Sequence, residues 1–326
     1  MPESKGLTRR TFLRASAGCA AHLLLLGAGS PVSAGELFAR RRGRVVAQEP
    51  WGRLEEVADG VWALVSTPLQ DRTTLCNGGI IRGRSGVLVV EAFAQPAGAS
   101  WLAGQARTLT GRWPDEVVVT HYHGDHVGGV AGLLAADGAS PRLRLTETTR
   151  TLVREADGRR PSPPAGERTR LLAGATALSE TAATTIDLGG RTARVVPHDG
   201  HTRSDVTVEL DDPAVVFCGD LVWNAMFPNY VDAIPSRLSR AVAALTRETP
   251  AVYVPGHGPA ADAADMRLYA DVLGAVEAAA REARARGQTA AEAAASFRLP
   301  AAAAEWTLFS PRYFETAIGA WLREAQ

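Results

Sequence analysis

The sequence predicts an α/β fold with sheets buried between helical layers, and three observations carry that prediction. Short β-branched runs alternate with longer helical patterns along the chain. The order of strands followed by helices occurs twice, as expected of a sheet covered by helices and then repeated. Hydrophobic residues make up 46% and charged residues 21%, enough for a sizeable core and against wholesale disorder. At 326 residues the chain has the length of about two average domains, but α/β folds of this size often form one.

The elements follow in order. Residues 1–34 read as a leader: Thr8-Arg9-Arg10-Thr11-Phe12-Leu13, an apolar stretch containing Leu23 to Leu26, then Val32-Ser33-Ala34. A twin-arginine pair, a modest hydrophobic region and a small-x-small signal are the marks of an export peptide cleaved after Ala34. The apolar stretch is shorter than the roughly 20 residues that span a bilayer, so stable membrane insertion is not expected. Residues 35–50, with Arg40-Arg41-Arg42-Gly43-Arg44, read as a flexible basic connector.

Candidate strands cover 54–57, 61–65, 79–82, 86–90, 116–120, 185–188, 192–196, 206–210, 214–218 and 251–254. Helical patterns cover 98–110, 127–136, 146–155, 235–248, 263–284, 290–297 and 311–324. The stretch 158–168, rich in proline, glycine and arginine, reads as a surface loop. The alanine-rich C-terminal helices lack sustained heptads, so 263–326 is expected to pack on the same domain, 51–262, rather than form a coiled coil.

Charge and cysteine usage exclude some functions. Lys5, Arg9, Arg10 and Arg14 against Glu3 give the leader a net of +3, leaving −3 for the rest of a chain whose formal charge is zero. A mildly acidic body lacks the broad positive field of nucleic-acid binders, which weighs against a nuclease. Beyond Cys19 in the leader, only Cys76 and Cys218 remain. They allow one disulfide or two small buried thiols, but no cysteine-rich zinc site or redox motif.

The chemistry concentrates where Val117-Val118-Val119 runs into Thr120-His121-Tyr122-His123-Gly124-Asp125-His126. Alternation along extended chain places His121 and His123 on one side. Gly124 permits a sharp turn that carries Asp125 and His126 toward a second point. A single histidine at a strand end is usually just a satisfied polar group, but three with an aspartate would be costly to crowd together without a cation. Imidazole and carboxylate suit zinc and related divalent ions, so one loop supplies ligands for two adjacent metals.

His-x-His-x-Asp-His after a strand resembles the metallo-β-lactamase superfamily. The rest of that pattern follows in order as Gly200-His201-Thr202, Phe217-Cys218-Gly219-Asp220 and Val254-Pro255-Gly256-His257-Gly258. The match spans about residues 54 to 260. The resemblance implies an αββα sandwich with an extra C-terminal helical segment and metals at one edge between the sheets. It implies that His121, His123 and His201 hold one metal, that Asp125, His126 and His257 hold the other, and that Asp220 bridges them. The expected cofactor is two zinc ions, with iron or manganese as alternatives. Metals that share a water depress its pKa, giving a hydroxide that attacks an ester, thioester, lactone or amide-type bond of a small-molecule substrate. Asp125 orients that nucleophile and receives its proton.

Departures from family patterns narrow the branch. The commonest zinc β-lactamases have cysteine at the Asp220 position and a lysine three residues later, where this chain has Trp223 and no lysine beyond the leader. The bridging aspartate is more like glyoxalase II, lactonases and general hydrolases, so β-lactam hydrolysis is the alternative. A mononuclear iron persulfide dioxygenase on the same scaffold is a further one. The part from Pro259 to Gln326 resembles exported zinc hydrolases associated with sulfur-compound or quinoprotein metabolism. The remaining roles are secondary. His198 reads as an outer partner of the site or as a polar residue at a strand end, Asp205 as an orienter of a ligand, and Glu91 as a brace for the metal loop. The aromatic run from Trp223 to Tyr230 reads equally as an apolar substrate wall or a packed loop. The twin-arginine machinery is the expected partner in export, and the periplasm or exterior the expected location.

Overall fold

A computed structural model describes residues 43–67, 70–134, 140–159, 161–247 and 249–324. The leader, with its arginine pair and Cys19, lies outside the described residues.

Two sheets form the centre. The first has eight strands in sequence order: β1 Arg44–Glu49, β2 Gly52–Ala58, β3 Val61–Ser66, β4 Gly78–Arg82, β5 Val87–Val90, β6 Glu116–Val118, β7 Arg142–Thr146 and β8 Thr176–Leu178. Pairing is antiparallel from β1 to β5 and parallel from β5 to β8. The second sheet runs in the spatial order β13 Val252–His257, β12 Ala214–Trp223, β11 Asp205–Asp211, β10 Thr192–His198 and β9 Thr184–Asp187.

Period-two alternation decides what each strand buries, since successive side chains face opposite sides of a sheet. Val61, Ala63, Ile81, Leu88, Val90 and Val118 turn toward the second sheet, where they meet Val208, Val215, Phe217 and Val254. Their neighbours Trp62, Leu64, Ile80, Val89 and Val117 turn the other way. There they pack against α1 Pro96–Thr110, α2 Gly124–Val127, α3 Val130–Leu134 and, further along, α5 Pro163–Ala173, which follows α4 Glu147–Arg159. On the outer face of the second sheet, Val216, Cys218 and Tyr253 meet α6 Pro235–Leu245, α7 Ala263–Ala285, α8 Ala290–Ser296 and α9 Tyr313–Glu324. Three apolar layers between four structural layers make an αββα sandwich, with the C-terminal helices forming part of its outer wall.

Local signals set the helix ends. α1 opens on Pro96 and closes on Gly111 at φ 75°, the left-handed conformation that glycine adopts without strain. α7 and α8 each begin with a capping box, Asp262 with Asp265 and Thr289 with Glu292. Among the described residues, no helix is long and apolar enough to cross a membrane.

Several expectations need correction. Arg44–Glu49, inside the stretch read as a flexible connector, is strand β1, its exposed arginine paired with Glu56 on β2. Polarity on an edge strand resembles linker composition, which hid it. Strands β7 and β8 were not expected either; Arg142 and Arg144 on β7 break the apolar run by pairing with Glu116. The expected loop 158–168 is largely the end of α4 and the start of α5, whose N-cap Ser162 accepts from the Ala165 N–H. β12 continues past Cys218 to Trp223 through a shift in pairing at Gly219. Cys76 and Cys218 are both buried and unbridged.

Candidate metal centre

The seven side chains named from the sequence converge at one end of the sandwich, between the edges of the two sheets. His121 and His123 follow β6, and His123 is the residue before α2, whose first turn carries Asp125 and His126. The expected sharp turn at Gly124 is thus a turn of helix. His201 sits in the connection from β10 to β11, Asp220 lies within β12, and His257 ends β13.

The coordinating atoms fall into two groups: His121, His123, His201 and Asp220, and Asp125, His126 and His257, with the atoms of each group within 4.8 Å of one another. In the first, His123 Nδ1 lies 3.1 Å from His121 Nε2 and 3.0 Å from His201 Nε2. In the second, Asp125 Oδ2 lies 3.6 Å from His126 Nε2 and 3.4 Å from His257 Nε2. Asp220 stands between them: Oδ2 is 3.3 Å from both His201 Nε2 and His257 Nε2, and Oδ1 is 3.1 Å from His126 Nε2.

Two glycines make this convergence sterically feasible. Gly219 has φ 52°, and a Cβ there would meet Thr120 Oγ1 at 2.7 Å. A Cβ on Gly256 would fall 1.9 Å from Asp220 Oδ1, so any larger residue at 256 would displace the carboxylate.

Burial without proton-mediated pairing is what a cation site requires. His121, His126 and His201 are fully buried, yet His126 Nε2 and Asp220 Oδ1 have no hydrogen-bond partner. Buried polar atoms without partners are costly, and a cation held between them would remove that cost. Electrostatics point the same way. Burial outweighs neighbouring charges at His201 and holds it at about 3, and burial, with His126 beside it, pushes His121 well below the usual imidazole range. Burial disfavours charge on His257 too, but Asp220 and Asp125 outweigh it and lift the imidazole to about 9. At Asp125 burial is overcome by His126 and His257, which hold the carboxyl at about 2. A donor set of five imidazoles and two carboxylates fits divalent ions of the zinc class.

Outer partners fix the ligands. Glu91, buried and at φ 78°, accepts from the Thr120 N–H and hydroxyl and places Oε1 3.0 Å from His126 Nδ1. It therefore braces the loop from behind. Asp205 accepts from the Thr202 N–H and hydroxyl, fixing the turn next to His201 without touching that ring. His198 is remote, its Nε2 facing the Thr207 hydroxyl at 3.1 Å.

Sequence reading missed Asp232. Its Oδ2 lies 2.9 Å from His123 Nε2 and also takes a hydrogen bond from the Tyr122 phenol. It sits 109 positions from His123 in a segment with no strand or helix periodicity, so no local signal marked it.

A cavity of about 960 Å³ opens over the ligands; Asp125, Asp220 and His257 contribute to its floor. Trp223, Phe309 and Tyr313 line its wall. The ring centroid of Trp223 is 4.0 Å from that of His257. The aromatic run after Asp220 thus divides: Trp223 faces the site, whereas Phe227 and Tyr230 are buried in the core beneath α6 and α7. Phe309 and Tyr313 belong to the C-terminal segment, which was expected to pack on the same domain.

Comparison with known proteins agrees with this architecture. A family model described as the metallo-beta-lactamase superfamily matches residues 72–257, more than half of the chain. A hydroxyacylglutathione hydrolase from Cupriavidus taiwanensis is 35% identical over 130 residues, covering 37% of this chain and 41% of the relative. One from Acidiphilium cryptum is 30% identical over 161 residues, covering 48% and 56%. The chain therefore spans about half the length of these relatives, or less. Among solved structures, a metallo-beta-lactamase from Pontibacter korlensis superposes with a TM-score of 0.55 at 21% identity, over 68% of this chain and 99% of that one. A stereoselective inverting sec-alkylsulfatase from Pseudomonas sp. superposes with a TM-score of 0.60 at 16% identity, over 83% and 49%. At such identities these neighbours share the fold alone. With its ordered His/Asp motifs, four-layer sandwich and matching family model, the chain belongs to the metallo-β-lactamase superfamily.

Proposed function

We propose that the protein is an exported, dinuclear zinc-dependent hydrolase that cleaves an ester, thioester, lactone or amide-type bond in a small molecule. The observation that carries the reading is the position of Asp220, within 3.1–3.3 Å of imidazole nitrogens from both ligand groups. A carboxylate so placed, with Oδ2 equally near His201 and His257, would offset the repulsion between cations held on either side of it. His121, His123 and His201 would hold one, and Asp125, His126 and His257 the other. Ions bound there supply an acidified water and polarise the scissile carbonyl.

The chain's own residues do the rest. Asp125 holds the attacking water by a hydrogen bond and takes its proton. Glu91 and Asp232 fix the rings of His126 and His123, and Trp223 excludes bulk solvent beside His257. No serine or cysteine nucleophile is needed, and Cys76 and Cys218 are buried thiols that burial pushes well above the usual range. The hydroxyacylglutathione hydrolases among the relatives favour a thioester within this bond class.

The test is hydrolysis by metal-loaded protein of a panel comprising a thioester, an aryl ester, a lactone and a β-lactam, with a persulfide oxidation assay alongside. Turnover of a thioester or ester that chelation removes and zinc restores is the expected result. Oxygen-dependent persulfide oxidation without hydrolysis would replace this reading with the iron oxygenase. Export is tested separately. Replacing Arg9 and Arg10 together by lysine keeps the charge but removes the arginine pair, so a folded cytoplasmic protein is expected; unchanged export would mean another route.

A further inference from the structure

Tyr313 opens α9, well beyond residues 72–257 that the family model matches. It lines the cavity whose floor includes Asp125, Asp220 and His257. Both sides of it are anchored. Ahead of it, the Phe227 N–H donates to the Thr307 carbonyl at 2.9 Å and the Thr307 N–H to the Ala225 carbonyl at 3.1 Å. The ring of Phe309 then stands 5.8 Å from that of Trp223 and 5.9 Å from that of His257. Behind it, Ala317 and Ile318 are buried in the core of the outer layer. The phenol is therefore presented by a fixed helix end rather than by a loose tail.

Its hydroxyl is uncommitted. The phenols of Tyr122 and Tyr253 are engaged with Asp232 and the Arg247 N–H, but among the described residues the Tyr313 hydroxyl has no hydrogen-bond partner. Its surroundings are half-buried, and burial, followed by the Asp125 and Asp220 carboxylates, pushes it up from its ordinary value. The phenol thus keeps its proton across the neutral range.

We propose that Tyr313 is a catalytic residue whose phenol donates a hydrogen bond to the substrate's carbonyl oxygen as negative charge develops there. The assignment rests on the hydrolase reading of the same cavity. As the water oxygen bonds to the carbonyl carbon, the C=O π pair moves onto the carbonyl oxygen, which the phenol stabilises. When that pair returns, the bond to the alcohol or thiol breaks, and the leaving group takes the proton that Asp125 received from water. Tyr313 keeps its own proton throughout. The hydrogen bond strengthens with the developing charge, so it lowers the barrier more than it tightens the ground state.

The experiment compares the wild type with Tyr313→Phe, which keeps the ring and removes only the hydroxyl. Both zinc-loaded proteins are assayed on 4-nitrophenyl acetate and a thioester, and titrated calorimetrically with phenylphosphonate, whose tetrahedral oxygens stand in for the charged carbonyl oxygen. A single buried oxyanion donor is worth about a hundredfold or more, and this site is partly open, so kcat is expected to fall at least about tenfold with KM within about twofold. Phenylphosphonate Kd is expected to rise about tenfold, with metal content unchanged. Unchanged kcat and phosphonate affinity would overturn the assignment, as would a change in KM alone or a loss of metal. A wild type inactive on every substrate would instead overturn the hydrolase reading, and the phosphonate titration would still decide whether the phenol donates into the cavity.

Discussion

The two ligand groups differ in how they are backed. Apart from Asp220, which stands between the groups, the first is built of the imidazoles of His121, His123 and His201, and its outermost ring, His123, leans on Asp232, an aspartate 41% exposed. The group of Asp125, His126 and His257 contains a carboxylate, and its innermost ring, His126, sits against fully buried Glu91. The carboxylate behind His126 thus sits in a far drier setting than the one behind His123. Interactions gain strength in low dielectric and cost more to break there. The same outer-partner device should therefore weigh more at His126 than at His123.

Asp220, common to both groups, should give the largest effect. Replacing it with alanine removes the carboxylate that stands between the groups and would leave two bound cations without a shared anion. Turnover is expected to fall beyond the 10–100-fold typical of losing an outer partner, roughly a thousandfold, with KM changed far less. The cation at Asp125, His126 and His257 should be lost first, because three imidazoles still hold the other. Metal content and kcat of Asp220→Ala check both; two metals with full turnover would mean that Asp220 is not a bridge. Glu91→Gln comes next, expected to weaken metal affinity at the His126 group about a hundredfold, against about tenfold at the His123 group for Asp232→Asn. Competition with a chromophoric chelator measures both, and equal losses would remove the distinction drawn between the groups.

The smallest effect concerns pH in the metal-free protein. His257 is raised to about 9 in the folded chain by Asp220 and Asp125, against an ordinary 6.5. Its protonated form therefore contributes stability that is fully present below pH 6.5 and is lost as pH rises through 9. His126 is raised as well, so it acts with the same sign. The metal-free Tm should fall by several degrees between pH 6.5 and 9, whereas the zinc-loaded protein, whose imidazoles are neutral ligands, should change little. Thermal unfolding of both forms across that window checks it; parallel curves would contradict it.

Much of the centre was legible because its residues are locally dense or sit in ordered motifs. His121 to His126 follow directly from a three-valine strand, and Gly219 and Gly256 mark the places where backbone and carboxylate come close. The short apolar runs of β3, β5, β6 and β12 likewise marked strands, and each buries both of its faces. Elements whose burial is partial or offset by ion pairs were not legible: β1 is an exposed edge, and β7 tucks Arg144 against Glu116. Asp232, Phe309 and Tyr313 reach the cavity only through tertiary packing, so no short window of sequence contained their signal.

The seven side chains could serve as a two-metal centre, a single-iron site or a buried polar cluster, and the first is the arrangement proposed. Elemental analysis of the protein purified from its native cells, without added metal, decides between them. Two divalent ions per chain are expected, zinc above all, falling to one in Asp220→Ala. One tightly held iron per chain with no zinc, or no metal at all, would contradict it.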